Sequence, residues 1–177
     1  MNDEHPRRIC KKGDVIMKIA VFSDSHGTIE NMISAINRIM PDAVFHLGDY
    51  YGYAAKLREA FPNIPMYAVA GNCDGKISVQ TEQKVRICGK TFFLCHGHTF
   101  GVKSGLSGLY KKASEADFVL FGHTHKPWCE HYNNTVFLNP GTVSGYGGIT
   151  CAVLQVDEGK TEYWFMNMNQ GYWEEER

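Results

Sequence analysis

Seven side chains that can bind metal ions follow five short apolar runs of the chain. Continuous apolar runs of this length are typical of strands buried on both faces. In sequence order the side chains are those of Asp24, His26, Asp49, Asn72, His96, His123 and His125. Because open α/β sheets hold their ligands outside the carboxyl ends of their strands, we expect these side chains to converge. Carboxylates, imidazoles and one amide are the ligands of a two-metal hydrolase rather than of a structural zinc site.

The ligand types indicate how such a site would act on a phosphoester. Asp49 offers two carboxylate oxygens and can therefore bridge two ions. Paired divalent ions in enzymes lie about 3.5–4 Å apart, and a water between them loses a proton near neutral pH. The bridging hydroxide can attack phosphorus in line while the same ions neutralise charge on the phosphoryl oxygens. The pattern therefore predicts a metal-dependent hydrolase.

Each candidate ligand also has a structural interpretation when it is taken alone. Asp24 can cap a helix, Asp49 can occupy a turn, and Gly71–Asn72 is a common turn dipeptide. His46 lies inside a predicted strand and His131 near a hairpin tip, so we interpret both as structural histidines. The joint occurrence of all seven ligands at strand ends favours a metal site over seven separate structural roles.

Length and composition indicate an ordinary globular protein. The 177 residues suffice for one substantial core, and the formal net charge of −1 gives no electrostatic reason to expect nucleic acid or a membrane as an obligatory partner. No apolar stretch approaches the ~20 residues needed to span a bilayer. The six cysteines form no C-x-x-C pair, so we expect free buried thiols. These features predict a soluble, cytoplasmic protein.

A single domain is predicted to cover residues 17–166. Residues 1–16 carry mixed charges without a hydrophobic period, so we expect a disordered extension there. Met17 stands directly before the first predicted strand and could be the true translation start. We expect residues 167–177 to form a peripheral tail.

The order of the predicted elements indicates a mixed α/β fold. Strands at Lys18–Phe22, Ala43–Leu47 and Pro65–Ala70 alternate with helices, which implies parallel strands with right-handed crossovers. Hairpin signals at Gly89–Lys90 and Asn133–Asn134 then indicate antiparallel pairs. Parallel units followed by hairpins predict two packed sheets with helical cover. The predicted helices cover residues 29–40, with Thr28 as the cap, 54–61 and 107–116.

Five ordered motifs resemble those of the calcineurin-like metallophosphoesterases. They are Asp24-x-His26, Gly48-Asp49, Gly71-Asn72-Cys73-Asp74, His96-Gly97-His98 and Gly122-His123-x-His125. The chain most resembles the YfcE-like subgroup of small bacterial and archaeal phosphodiesterases, which the turn Asn139–Ser144 also resembles. The resemblance implies a four-layer α-β-β-α sandwich of two mixed sheets that hydrolyses a small phosphodiester.

The same resemblance implies how two metal ions would divide the ligands. The first ion would be held by Asp24, His26, Asp49 and His125. The second ion would be held by Asp49, Asn72, His96 and His123. Oxygen and imidazole ligands suit Mn²⁺, Fe²⁺, Ni²⁺ or Zn²⁺, and the resemblance favours Mn²⁺.

Three further residues are implied near the metals. His98 would contact the substrate or support a ligand, and Asp74 would orient His98 or a metal-binding imidazole. Cys73 stands where much of the family has a histidine that donates a proton to the leaving group. Because a neutral thiol is a poor proton donor, we predict a preference for good leaving groups, such as those of aryl phosphodiesters. After Ser144 the chain also lacks a basic residue that relatives often carry.

Two side-chain clusters near these motifs have open interpretations. An aromatic cluster after Asp49 forms either a wall for a base or aryl group or part of the core. It comprises Tyr50, Tyr51 and Tyr53. A basic cluster is interpreted as a solvated helix face rather than a nucleotide clamp. It comprises Lys103, Lys111 and Lys112.

Three other functions are compatible with this fold. A phosphomonoesterase would use the same metals, and a eukaryotic retromer subunit of the same fold serves as a non-catalytic scaffold. The presence of all seven ligands favours an enzyme over a scaffold. The near-neutral charge disfavours a nuclease, because polymer binding draws heavily on phosphate contacts. We expect a small phosphoester as the substrate and a homo-oligomer, either a dimer or a tetramer.

Overall fold

The computed structural model describes residues 16–75, 78–145, 148–169 and 172–176. The predicted extension at residues 1–16 lies, except for residue 16, outside these described residues. In chain order the strands are β1 (Met17–Phe22), β2 (Ala43–His46), β3 (Met66–Ala68), β4 (Glu82–Ile87), β5 (Lys90–Cys95), β6 (Phe118–Leu120), β7 (Pro127–Tyr132), β8 (Thr135–Pro140), β9 (Thr150–Val156), β10 (Thr161–Asn169) and β11 (Tyr172–Glu176). The helices are α1 (Glu30–Ile39), α2 (Tyr51–Ala60) and α3 (Ser107–Tyr110), and single 3₁₀ turns cover Asn72–Asp74, His98–Phe100 and Ala113–Glu115.

The strands form two mixed sheets. The first has the order β11-β10-β9-β1-β2-β3, and the second has the order β4-β5-β6-β8-β7. In the first sheet β1, β2 and β3 are parallel, with Val21 opposite Phe45 and His46 opposite Ala68. In the second sheet β5, β6 and β8 are parallel. The carboxyl ends of both parallel sets therefore carry the loops that contain the predicted ligands.

Three apolar layers hold the two sheets and the helices together. Between the sheets, Ile19 and Val21 of β1 face Leu94 and Leu120 of the second sheet. On the outer face of the first sheet, the alternate residues of β1 pack against α1 and α2. On the outer face of the second sheet, α3 packs through Leu109. Both faces of the central strands are buried, which explains their continuous apolar runs and confirms the predicted four-layer sandwich.

Several element boundaries differ from the predictions. Helix α1 has Ile29 as its cap and makes no side-chain capping bond, so the prediction of Thr28 as the cap is wrong. Helix α2 begins at Tyr51 rather than at the predicted Ala54. The third predicted helix is shortened to α3 and one 3₁₀ turn. Within the predicted tail, residues 167–169 complete β10 and residues 172–176 form β11 at the edge of the first sheet.

The state of the cysteines and the length of the helices can be compared with the predictions of free thiols and of no membrane-spanning segment. Cys73, Cys95, Cys129 and Cys151 are free. Cys88 is disulfide-bonded, so the prediction of free thiols is wrong at that residue. Among the described residues, none of the helices is long and apolar enough to cross a membrane.

Candidate metal centre

The seven predicted ligands all follow the carboxyl ends of parallel strands. Asp24 and His26 follow β1, Asp49 follows β2, and Asn72 follows β3. In the second sheet, His96 directly follows β5, and His123 and His125 follow β6. The two sheets are packed face to face, so these loops meet at one end of the sandwich.

The backbone at these loops is unusual in its dihedral angles. Nine described residues other than glycine have a positive φ, and five of them are predicted ligands. Those five are Asp24 at 54°, His26 at 35°, Asp49 at 58°, His123 at 69° and His125 at 60°. Left-handed backbone is unfavourable for residues with a side chain and persists only where surrounding structure enforces it. Its concentration here is typical of a functional site.

Two glycines allow the carboxylates to approach the neighbouring backbone. A Cβ atom at Gly122 would lie 1.8 Å from Oγ of Ser23 and 2.8 Å from Oδ2 of Asp24. A Cβ atom at Gly71 would lie 2.2 Å from Oδ1 of Asp49. Any larger residue would therefore displace a predicted metal ligand.

One group of candidate ligands lies on the side of β1. Nε2 of His125 is 3.0 Å from Oδ1 of Asp24 and 3.2 Å from Nε2 of His26. Ligand atoms that bind one ion at ordinary bond lengths are about 3.0–3.4 Å apart. Asp24, His26 and His125 are therefore close enough to hold a common ion.

A second group lies on the side of β5. Nε2 of His96 is 3.2 Å from Oδ1 of Asn72, and the ring centroid of His123 is 5.0 Å from that of His96. Nδ1 of His96 donates a hydrogen bond to the carbonyl of Leu47 at 2.8 Å. With the Nδ1 proton held in this bond, Nε2 of the neutral ring is the atom that can bind a metal ion.

Asp49 lies between the two groups and faces both with the same oxygen. Its Oδ2 is 3.6 Å from Nε2 of His26 and 3.5 Å from Nε2 of His96. Its Oδ1 instead accepts a hydrogen bond from the amide of Cys73 at 2.8 Å. Oδ2 of Asp49 is thus placed to be shared, and it lies slightly closer to both rings than Oδ1 of Asp24, which is 3.8 Å from Nε2 of His26 and from Nε2 of His96.

The surroundings of the Asp24 carboxylate show whether a cation fits this site. The Asp24 side chain is fully buried, and its Oδ2 accepts from Oγ of Ser23 at 2.6 Å and from the amide of His123 at 3.0 Å. Its Oδ1 accepts no well-aligned hydrogen bond from the described residues, and its near neighbour at 3.0 Å is Nε2 of His125, which is itself a candidate ligand. An unpaired buried carboxylate oxygen is costly, and a cation is the partner that satisfies it. The donor set therefore fits a divalent metal ion.

The electrostatics keep the carboxylates charged. Burial raises the pKa of Asp24, but His125 and His96 oppose it, and the net effect is a lowered pKa. The pKa of Asp49 is likewise lowered, because His96 outweighs the effect of burial. Burial, followed by the charges of His96 and Lys103, lowers the pKa of His123 to about 4. Burial lowers the pKa of His96, but Asp49 and Asp24 outweigh burial and the net effect is a raised pKa, so a metal ion would bind His96 in place of the proton on Nε2.

His98 and Cys73, two of the three further predicted residues, both lie beside the candidate ligands. The ring of His98 is 5.4 Å from that of His96 and 6.1 Å from that of His123, so it borders the second group. Cys73 is exposed, and its Sγ forms a close cluster with ligand atoms of His26 and Asp49. Burial and then Asp49 raise the pKa of the Cys73 thiol to about 11, so the thiol is neutral at pH 7.

Asp74 accepts hydrogen bonds from the backbone. Its Oδ2 accepts from the amide of Gly71 at 2.7 Å, and its Oδ1 accepts from the amide of Tyr51 at 2.5 Å. These bonds fix the Asn72 turn and the start of α2, and the orientation of His98 or a metal-binding imidazole by Asp74 stays a prediction.

Supporting residues of the site were missed by the sequence analysis. Asn139 is fully buried, and its Nδ2 donates to the carbonyl of Gly122 at 2.8 Å, which fixes the start of the His123 loop. Oγ1 of Thr142 donates to the carbonyl of Asp24 at 2.8 Å. The resemblance of the Asn139–Ser144 turn to relatives was the available signal, although it indicated no role. Lys103 is exposed in a turn, and its charge contributes to the lowered pKa of His123.

His46 is a structural histidine, as predicted. It is fully buried, its Nδ1 accepts from the amide of Gly48 at 3.4 Å, and its Nε2 is 3.3 Å from Oγ of Ser25. His131 lies outside the candidate site, on β7, where it contacts the hydroxyl of Tyr163 at 2.8 Å. Burial lowers the pKa of His46 to about 4.

This lowered pKa predicts a loss of stability in acid. The folded state favours neutral His46, so stability is complete above the unfolded pKa near 6.5 and falls as the pH drops toward 4. Between pH 7 and pH 5 the loss amounts to about 2 kcal/mol. Urea unfolding measures this loss in the metal-free protein. Between pH 7 and pH 5, the free energy of unfolding of His46→Gln should fall by about 2 kcal/mol less than that of wild type. His131→Gln is the control, and equal slopes for His46→Gln and wild type would contradict the prediction.

Comparison with known proteins gives the family. Residues 17–159 match the model of the calcineurin-like phosphoesterase superfamily domain. The chain belongs to this superfamily. Its relatives include the probable metallophosphoesterase YsnB of Bacillus subtilis, with 31% identity over 72% of this chain and 75% of that protein. They also include the phosphodiesterase MJ0936 of Methanocaldococcus jannaschii, with 31% identity over 83% and 96%, and the phosphodiesterase YfcE of Escherichia coli, with 29% identity over 73% and 80%.

Solved structures share the fold of this superfamily member. A protein from Streptococcus pneumoniae described as a predicted phosphoesterase has a TM-score of 0.72 at 26% identity, covering 92% of this chain and 98% of that one. Vacuolar Protein Sorting 29 from Cryptosporidium parvum has a TM-score of 0.78 at 19% identity, covering 92% and 96%. The second likeness shows the fold alone. The family uses divalent metal ions, which agrees with the donor set at the strand ends.

Proposed function

We propose that this protein is a phosphodiesterase that uses two divalent metal ions to hydrolyse a small phosphodiester. The observation that carries the proposal is the position of Oδ2 of Asp49, 3.6 Å from Nε2 of His26 and 3.5 Å from Nε2 of His96. One carboxylate oxygen between two groups of ligands is what two neighbouring ions require. The phosphodiesterases MJ0936 and YfcE support a diester as the substrate class.

The proposed ligand groups share Asp49. The first comprises Asp24, His26, Asp49 and His125, and the second comprises Asp49, Asn72, His96 and His123. When bound, the ions supply an activated water and positive charge opposite the phosphoryl oxygens. The chain contributes a rigid frame, because buried hydrogen bonds hold Asp24 and His96 in the orientation that presents their free donor atoms.

Residues at the border of the centre are proposed to contact the substrate. His98 presents a partly exposed ring beside the second ligand group. Lys103 is an exposed positive charge whose effect reaches His123, in a chain that lacks the basic residue that relatives often carry after the Asn139 turn. Both would attract the phosphoryl oxygens of a diester.

The remaining features of the proposal rest on the sequence. The family resemblance favours Mn²⁺ as the metal, and Fe²⁺, Ni²⁺ and Zn²⁺ suit the same donors. A dimer or tetramer and a cytoplasmic location stay predictions.

Hydrolysis of bis-p-nitrophenyl phosphate tests the proposed function. Protein stripped by a chelator should be inactive, and added Mn²⁺ should restore the release of p-nitrophenol. Protein that binds no metal and stays inactive with Mn²⁺ would instead support a non-catalytic scaffold. Faster hydrolysis of p-nitrophenyl phosphate than of the diester would support a phosphomonoesterase.

Replacement of Cys73 by histidine is expected to widen the range of leaving groups. A neutral thiol with a pKa of about 11 is a poorer general acid for a departing alkoxide than an imidazolium, whose ordinary pKa lies close to neutral pH. For Cys73→His we expect the rate on a dialkyl phosphodiester relative to bis-p-nitrophenyl phosphate to rise at least about tenfold. Cys73→Ser is the control, since a hydroxyl adds no acid at pH 7. The absence of any relative change between the two substrates would refute the assignment.

A further inference from the structure

The candidate centre is open to solvent on one side. The side chains of His26 and His125 are 21% and 32% exposed, whereas those of Asp24 and His96 are fully buried. The exposed face of the first ligand group is therefore one route by which a substrate can reach the metals. Any group attached to the phosphorus that points along this route must lie beside His26.

Among the residues that the structure describes, one exposed aromatic ring borders this open side. Tyr50 is 42% exposed, and its ring centroid is 5.5 Å from that of His26 in an edge-to-face arrangement. The ring also lies 5.9 Å from that of Tyr53. Single exposed aromatic rings are common on protein surfaces, so the significance of this ring lies in its position beside the candidate centre.

The backbone holds Tyr50 in this position at a conformational cost. Tyr50 has φ of 70° and directly follows Asp49, which has φ of 58°. Two consecutive left-handed residues with side chains are unfavourable, and such strain persists where the surrounding structure enforces it. Burial does not compensate for the strain at Tyr50, because much of its side chain stays in contact with solvent.

The other two members of the aromatic cluster have structural partners. The ring of Tyr53 packs with the layer beneath α1 and α2, and Nζ of Lys56 lies 5.0 Å from its centroid. The guanidinium of Arg58 lies 5.7 Å from the ring of Tyr51, whose amide is bound by Asp74. Tyr50 is thus the ring that is free to receive a ligand, and Tyr53 supports it from one edge.

We propose that the ring of Tyr50 is the platform for a flat aromatic group on the part of the phosphodiester that does not leave. This inference rests on the proposed phosphodiesterase activity and narrows its substrates to aryl or nucleoside phosphodiesters. Aryl rings and nucleobases share the flat π-face that stacks on tyrosine. Removal of one stacking ring typically weakens binding about tenfold or more.

The contact between the Tyr50 ring and the substrate can be measured with esters that share one leaving group. Methyl, phenyl and thymidine 5′-p-nitrophenyl phosphates all release p-nitrophenol, so they differ only in the group that stays on phosphorus. For wild type with Mn²⁺ we expect a higher kcat/KM for the phenyl and thymidine esters than for the methyl ester. In Tyr50→Ala the aromatic-to-methyl ratio of kcat/KM should fall about tenfold. A fall with the thymidine ester but not the phenyl ester would identify the nucleobase as the group that stacks.

Two control variants separate stacking from structural effects. Tyr50→Phe should keep the ratio, because it keeps the ring. Tyr132→Ala removes another exposed tyrosine, 39% exposed on β7, and should also keep the ratio. If Tyr50→Ala is active and its aromatic-to-methyl ratio of kcat/KM is unchanged, this inference is overturned and the proposed function is not. The same holds if kcat/KM falls equally for all three esters and the metal content is reduced. A wild-type protein inactive on all three esters overturns the proposed function as well.

Discussion

Asp49→Asn is expected to lose both bound metal and activity. Asparagine keeps the shape of the side chain and can still accept the hydrogen bond that the amide of Cys73 donates to Oδ1. It removes the negative charge of Oδ2, the atom that faces both His26 and His96. Loss of the shared ligand should remove several kcal/mol of stabilisation from the transition state, so that kcat falls by about 10³-fold or more. Metal analysis after dialysis and rates on bis-p-nitrophenyl phosphate measure both effects.

The same chemical change elsewhere provides the control for this variant. Asp157→Asn alters a partly exposed turn carboxylate that accepts hydrogen bonds from the amides of Gly159 and Lys160. It should keep wild-type metal content and activity. If Asp49→Asn still bound two ions per chain, Asp49 would not be their shared ligand.

Gly122→Ala is expected to damage both stability and the centre. Gly122 has no positive φ, so the effect comes from steric contact alone. The new Cβ would lie 1.8 Å from Oγ of Ser23 and 2.8 Å from Oδ2 of Asp24, in a buried region that cannot yield easily. Overpacking of this kind lowers the free energy of unfolding by about 3 kcal/mol. Displacement of Asp24 should also lower kcat/KM about 10²-fold, since small misplacements of reacting groups carry penalties of that size.

A second glycine provides the matched control for Gly122→Ala. Gly52 lies exposed in α2, and a Cβ there would meet nothing within 4 Å. Gly52→Ala should therefore stabilise the protein by about 0.5 kcal/mol through helix propensity. Urea unfolding measures both variants. A stability of Gly122→Ala within experimental error of wild type would show that the Ser23–Asp24 packing tolerates an added methyl group.

The positions of the ligands could be predicted because they depend on local sequence. Each apolar run is a strand buried on both faces, and parallel strands direct their carboxyl ends to the same edge. Three of the parallel strands, β1, β2 and β3, were predicted to within a few residues. The resemblance to a known family then supplied the sandwich, which the two sheets and the family match confirm.

The details that could not be predicted depend on contacts through space. The start of α2 at Tyr51 is explained by the carboxylate of Asp74, which lies far along the chain and binds the amide of Tyr51. The sequence offered no means of separating Tyr50 from Tyr53, since only their surroundings differ. Likewise, the charge of Lys103 contributes to the lowered pKa of His123, an effect that depends on the fold and not on the spacing of the lysines.

Anomalous diffraction from crystals grown with Mn²⁺ would test the central claim most directly. A two-metal centre shared by Asp49 predicts two anomalous peaks per chain, about 3.5–4 Å apart, with Oδ2 of Asp49 within bonding distance of both. A single peak, or two peaks of which only one contacts Asp49, would contradict the assignment of Asp49 as the shared ligand.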